Sequence, residues 1–191
     1  MKKLILILLF SAAGTQSGSA DTHDITVLLG RWNTKYWLGS SQVTYRSPDI
    51  FGLPLKISAG IAGYGSLYII SDGAYEIWTY GEYGLYRDDV WRVYAGAGGI
   101  FYQNFPLKWT SFQPLLLAGV SAEIGFFNPE AYLRLRFYSD GWAVSLIQDY
   151  RFFLADWLFL TLHPRFELIG YYDFRYTELR ADFFAGAGFR I

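Results

Sequence analysis

The sequence predicts an all-β protein, a transmembrane antiparallel up-and-down β-barrel of about ten strands, with eight as the alternative count. Three observations carry this. Apolar residues recur at every second position through most of the chain, the period of a strand with two different faces. The composition is 20% aromatic with 20 glycines, yet no segment after residue 20 reaches 18 uninterrupted apolar residues, so no helix could span a bilayer. Short and long connections alternate along the chain, as they do when all turns lie on one side of a membrane.

The N-terminus reads as an export signal. Met1-Lys2-Lys3 is basic, Leu4 to Phe10 is apolar, and Ser17-Gly18-Ser19-Ala20 supplies a small-residue cleavage zone. The expected organisation is a signal peptide over 1–20 and an outer-membrane barrel domain over 21–191, with cleavage after Ala13 as the alternative. The chain has no cysteine, which excludes a lipidated Cys, disulfides and Cys-based zinc sites. With only His23 and His163, no metal site and no cofactor is expected. A formal net charge of −1 gives no electrostatic case for nucleic acid.

The strands are expected at 24–34, 41–47, 53–65, 73–86, 89–103, 111–126, 130–139, 141–152, 156–171 and 175–191. Ile25, Val27 and Leu29 alternate with Thr26, Leu28 and Gly30. Leu55, Ile57, Ala59 and Ile61 alternate with Lys56, Ser58, Gly60 and Ala62. Trp91, Val93, Ala95 and Ala97 oppose Arg92, Tyr94, Gly96 and Gly98. Ala131, Leu133, Leu135 and Phe137 oppose Tyr132, Arg134, Arg136 and Tyr138. Leu160, Leu162, Phe166 and Leu168 oppose Thr161, His163, Arg165 and Glu167, and Phe183, Ala185 and Ala187 oppose Asp182, Gly186 and Gly188. The second strand is short and polar, and the eighth breaks its alternation at Ile147-Gln148.

Ser47-Pro48-Asp49, Arg87-Asp88-Asp89, Asn128-Pro129 and Ala155-Asp156 would be periplasmic turns. Longer connections around 35–40, 66–73, 104–110 and 172–177 would face outside, the arrangement of bacterial outer-membrane barrels. Trp91 and Phe101 share a face ten positions apart, which spans roughly 25 Å at about 3.3 Å per residue and a tilt near 40°. Phe126, Phe127, Phe152, Phe153 and Trp157 would mark one membrane interface. Tyr36, Trp37, Trp109, Tyr138, Trp142, Tyr171 and Tyr172 would mark the other.

The last strand, Phe183-x-Ala185-x-Ala187-x-Phe189-x-Ile191, resembles the closing strand of small bacterial outer-membrane β-barrel proteins, with Ile191 in place of their usual final Phe. The resemblance implies the outer membrane of a Gram-negative bacterium, contact with lipid and lipopolysaccharide, and recognition by the barrel assembly machinery through Phe189 and Ile191. Val43-Thr44-Tyr45-Arg46-Ser47 and the glycine-rich strands after it are similar to outer-membrane lipid A deacylases. That family's His-x-Ser-Asn motif has its nearest counterpart in Phe137-Tyr138-Ser139-Asp140, which lacks the histidine, so no family site is carried over.

If the apolar face meets lipid, the other face lines the lumen. The expected charge lattice comprises Arg92, Glu123, Arg134, Arg136, Asp149, Arg151, His163, Arg165, Glu167, Arg180 and Asp182, with Arg46, Lys56, Glu76, Glu82, Glu178 and Arg190 on the same face. Buried charges require partners. Two readings of this interior stand: a lattice that fills and stabilises the barrel, or a narrow polar pathway or binding site. His163 is the one candidate base for a Ser–His–acid hydrolase, with Ser58, Ser121 and Ser145 as candidate nucleophiles. Asp72, Asp140, Asp173 and Glu178 are candidate outer-rim acids. Gly96-x-Gly98-Gly99 opens no helix and is not a phosphate loop; glycines there permit tight strand curvature. The expected function is a non-enzymatic outer-membrane barrel serving envelope integrity, surface interaction or limited small-solute passage. A lipid-modifying or lipid-hydrolysing barrel enzyme is the alternative.

Overall fold

The computed structural model describes residues 22–32, 38–64, 74–105, 108–172 and 177–191. The expected signal peptide, Tyr36, Trp37, Asp72 and Asp173 lie outside them. Ten strands run in chain order: β1 (Asp24–Trp32), β2 (Leu38–Arg46), β3 (Leu55–Tyr64), β4 (Ala74–Arg87), β5 (Trp91–Asn104), β6 (Trp109–Ala122), β7 (Phe127–Phe137), β8 (Gly141–Ala155), β9 (Leu158–Tyr171) and β10 (Thr177–Arg190). Each pairs antiparallel with its neighbour in sequence, and β1 closes on β10 through Ile25–Phe189, Val27–Ala187 and Leu29–Ala185. Closure gives every strand two partners and leaves no unpaired edge, which a chain in hydrocarbon requires. At about 3.3 Å per residue and a tilt near 40°, the 14 residues of β5 rise roughly 35 Å, enough to cross a bilayer core.

The alternation read from the sequence sorts the side chains. Leu29, Ile61, Ile77, Phe112, Leu162 and Phe183 stand exposed on the outer wall. Inward positions divide into two regions. Ala62, Trp78, Tyr94, Ile100, Leu115 and Leu117 form an apolar cluster on β3–β6, flanked by Tyr80, Tyr102 and Tyr132. Glu130, Arg134, Arg136, Asp149, Arg165, Glu167 and Asp182 on β7–β10 are buried as well. Glycine makes this packing possible at two levels. A Cβ on Gly60 would sit 2.3 Å from the Trp78 indole, and one on Gly98 would sit 2.1 Å from the Thr79 carbonyl oxygen.

Three local features differ from expectation. The turn between β6 and β7 is not Asn128-Pro129: the chain turns at Glu123–Phe126, where Gly125 adopts φ 58°, and both Asn128 and Pro129 belong to β7. The alternation break expected at Ile147-Gln148 is absent from the strand, whose inward and outward positions alternate without interruption from Gly141 to Tyr150. Ile147 is buried inward and Gln148 points to the outer wall, where its Oε1 accepts a hydrogen bond from the Tyr150 hydroxyl at 3.1 Å. The β8–β9 register is the same at Ile147–Arg165 and Tyr150–Leu162 and shifts only between Phe153 and Ala155. The aromatic girdles are thinner than expected. Phe153 lies under the Arg190 guanidinium at 4.4 Å, and Trp109, Tyr138 and Tyr171 line the bore at the loop end rather than facing lipid.

Candidate functional site: the charged lumen

The bore is divided into three compartments. At the end where β1 begins and β10 ends is a vestibule of about 290 Å³, and at the loop end one of about 280 Å³. Between them lies a cavity of about 70 Å³. Arg46, Glu130 and Arg151 line both the terminal vestibule and the middle cavity, and so form the first partition. Glu76, Arg165 and Glu167 stand at the second, Glu76 and Arg165 lining both compartments. Side chains at mid-height have almost no accessible surface: Ser145 and Asp182 0%, Ile147 and Glu167 1%.

The first partition is a continuous ion-pair network. Arg46 bridges Glu82 and Glu130, the latter through two hydrogen bonds of 2.8 and 2.9 Å. Arg92 adds a second cation to Glu82 at 3.0 Å, and the Ser58 hydroxyl donates to the same carboxylate at 2.9 Å. Arg151 reaches Asp149 at 2.7 Å, Asp24 at 3.0 Å and Glu130 at 3.5 Å. Arg190 extends the network by pairing with Asp24 at 2.9 Å. Arg46 on β2 thus meets Glu82 on β4 and Glu130 on β7, and Arg151 on β8 joins Glu130, so the links cross between strands that are not all neighbours. Each carboxylate thus receives more than one donor, the condition under which buried charges are tolerated.

The second partition is built around Arg136. It pairs with Glu167, with Glu76 at 3.3 Å, and approaches Gln113 at 3.5 Å. Ser145 donates to Glu167 at 2.6 Å. Arg165 pairs with Asp182 at 3.0 Å, and Arg180 with Glu178 at 2.8 Å near the loop end. Arg134 is buried between these networks, where its Nε and Nη2 have no hydrogen-bond partner among the described residues.

Of the residues singled out in the sequence, the structure brings Arg92, Arg136, Asp149, Arg151, Arg165, Glu167, Arg180 and Asp182 into ion pairs. Arg134 is buried in the bore but joins none of these ion pairs, and Glu123 is a second exception. Glu123 follows the end of β6, is exposed in the Gly125 turn, and lies at the mouth of the terminal vestibule rather than in the lattice. Sequence reasoning missed Asp24, Glu130 and the role of Tyr94, whose hydroxyl donates to Glu130. Glu130 stood at the first position of the expected strand 130–139; counting back by twos from Arg136 and Arg134 would have reached it.

His163 does not sit in a hydrolase arrangement among the described residues. Its Nδ1 is 3.9 Å from Asp149 Oδ1, a carboxylate already engaged by Arg151 and Thr161, and its ring packs edge-on against Phe184 at 5.9 Å. The Ser58 and Ser145 hydroxyls are directed to Glu82 and Glu167. Asp140 is in an exposed turn at the loop end. At the opposite mouth, Asp88 accepts backbone N–H groups of Trp91 at 2.6 Å and Val90 at 2.8 Å and the Tyr86 hydroxyl at 2.8 Å. These hydrogen bonds, the backbone ones first, hold its carboxyl below the ordinary carboxylate range.

No family model and no curated protein matches the sequence. Solved structures do match the fold. The outer membrane protease OmpT from Escherichia coli superposes with a TM-score of 0.53 at 10% identity, over 92% of this chain and 98% of that one. An anion-selective porin from Comamonas acidovorans gives 0.43 at 11% identity, over 86% of this chain and 59% of that one. Neisserial surface protein A (NspA) gives 0.38 at 12% identity, over 92% and 99%. At these identities the likeness speaks to architecture and not to activity: the chain has the closed antiparallel barrel fold of bacterial outer-membrane proteins.

Proposed function

We propose that the protein is a non-enzymatic barrel of a Gram-negative outer membrane, exported with a cleaved signal peptide, that serves envelope integrity and surface contact rather than solute flow. The observation that carries this is the filled bore. Two ion-pair partitions and an apolar cluster occupy it at mid-height, where side chains have almost no accessible surface. Its outer wall would meet lipid and lipopolysaccharide. Assembly would proceed through the closing strand, where Phe189 stacks on Trp157 at 6.2 Å and Ile191 exchanges backbone hydrogen bonds with His23.

The test is single-channel recording of the purified barrel in planar bilayers, beside fractionation and heat-modifiable gel migration. Outer-membrane fractionation without conductance steps is the expected result. Reproducible steps above background would establish the small-solute passage reading instead. Lipid A or phospholipid turnover by the wild type that vanishes in His163→Ala would establish the lipid-hydrolysing alternative.

A further inference from the structure

The loop-end vestibule is walled by four aromatic side chains: Tyr102 on β5, Trp109 at the start of β6, Tyr138 just past β7 and Tyr171 at the end of β9. In a girdle facing lipid, such rings would be covered by the membrane interface. Here they line the bore instead. Trp109 keeps 40% of its surface exposed and meets Tyr102 in a tilted contact at 5.4 Å. Its ring therefore presents apolar area that a ligand can cover.

The charges around these rings narrow the ligand. Glu76, Asp140 and Glu167 line the vestibule with Arg136, Arg165 and Arg180, three carboxylates against three guanidinium groups. Such a balance favours neither sign of ion. An acyl chain would be set against the floor where Arg136 pairs with Glu76 and Glu167, and charged groups there need polar neighbours. Rings beside paired charges and the amides of Asn104 and Gln113 suit a neutral molecule with one apolar face and several hydroxyls, each able to donate and accept. At about 280 Å³ the vestibule is close to the roughly 300 Å³ at which small-molecule pockets begin, room for one ring and not for a chain. We propose that the loop-end vestibule binds a single neutral pyranose residue, its C–H face stacked on Trp109 and its hydroxyls bonded to the amides and paired charges. The site rests on the surface-contact reading with the longer connections outside, and names saccharide as the chemistry contacted. Two sources carry that chemistry: lipopolysaccharide of the same membrane, and glycans outside the cell.

The experiment is saturation-transfer NMR from the full barrel to the methyl glycosides of glucose, galactose, mannose and N-acetylglucosamine, in a polyoxyethylene detergent that carries no sugar headgroup. Transfer to at least one glycoside is expected, with affinity on the order of millimolar. Trp109→Ala should weaken it about tenfold with the thermal midpoint unchanged, and Trp109→Phe should retain most of it. Cyclohexanol, a ring of similar size with a single hydroxyl, should show much weaker transfer. No transfer to any of the four glycosides, undiminished binding in Trp109→Ala, or equal transfer to cyclohexanol would overturn the proposal. Should Trp109→Ala fail to fold, Asn104→Ala takes its place, with loss of binding supporting the site and undiminished binding refuting it. Competition by core oligosaccharide released from lipopolysaccharide assigns the site to the barrel's own membrane, and glycoside binding without that competition assigns it to outside glycans. Absence of all transfer in a barrel that fractionates with outer membranes and does not conduct would strike the site and leave the envelope reading standing.

Discussion

Replacing Arg46 with Met strips one cation from two buried carboxylates at once. Glu82 keeps Arg92 at 3.0 Å and the Ser58 hydroxyl, and Glu130 keeps the Tyr94 hydroxyl and Arg151 at 3.5 Å. Breaking a buried pair from one side typically costs 3–5 kcal/mol. With these residual partners the lower end applies, so Arg46→Met is expected to destabilise the barrel by about 3 kcal/mol. The double variant Arg46→Met with Glu130→Gln removes the cation together with one of its carboxylates. It should cost less than the sum of the two single variants, with a coupling of about 1–2 kcal/mol. Urea-induced unfolding from lipid vesicles, followed by the fluorescence of the seven tryptophans, measures all four corners of this cycle. A loss below about 1 kcal/mol for Arg46→Met, the value of an exposed pair, would refute a water-excluded partition at this level.

Gly98→Ala should destabilise by about 1–3 kcal/mol in the same assay, because its Cβ would meet the Thr79 carbonyl oxygen at 2.1 Å and Tyr80 Cβ at 2.5 Å. An unchanged midpoint would contradict that contact. Gln148→Leu should stabilise the barrel in vesicles by roughly 1 kcal/mol, since it replaces an outward amide on the lipid-facing wall of β8. A loss there would mean that the amide is not facing lipid. Asp88→Asn should lower the thermal midpoint at neutral pH. The carboxyl is held low in the folded state, so its contribution is present above the unfolded value of about 3.9 and fades as the pH falls through the folded one. The parent and the variant should therefore converge in acid, and a difference that persists well below that range would refute the capping role.

The interior charges show where sequence legibility stops. Arg134 and Arg136, or Arg165 and Glu167, can be assigned to one face from their spacing alone, because a strand alternates by geometry. Their partners cannot. Arg46 and Glu130 are 84 residues apart, and Asp24 and Arg190 are 166 apart, brought together only when the barrel closes. The inward apolar residues were equally hidden. Within Leu115-Leu116-Leu117 the outer and inner leucines are chemically identical, and only the register with β5 decides that Leu116 meets lipid while its neighbours fill the bore.

What the sequence determined by itself was the strand period, the near-regular alternation of turns and loops, and hence an antiparallel barrel of about ten strands with eight as the alternative, all properties of residues close in the chain. The turn between β6 and β7 was misread because Pro129 suggests a break more loudly than Gly125, although Pro is accommodated within β7 and the left-handed φ of Gly125 makes the turn. What only the tertiary structure decided was how the lumen is filled. Ion-pair partners and the two partitions depend on distances across the bore, and those distances are set by closure of β1 on β10, which no local pattern encodes.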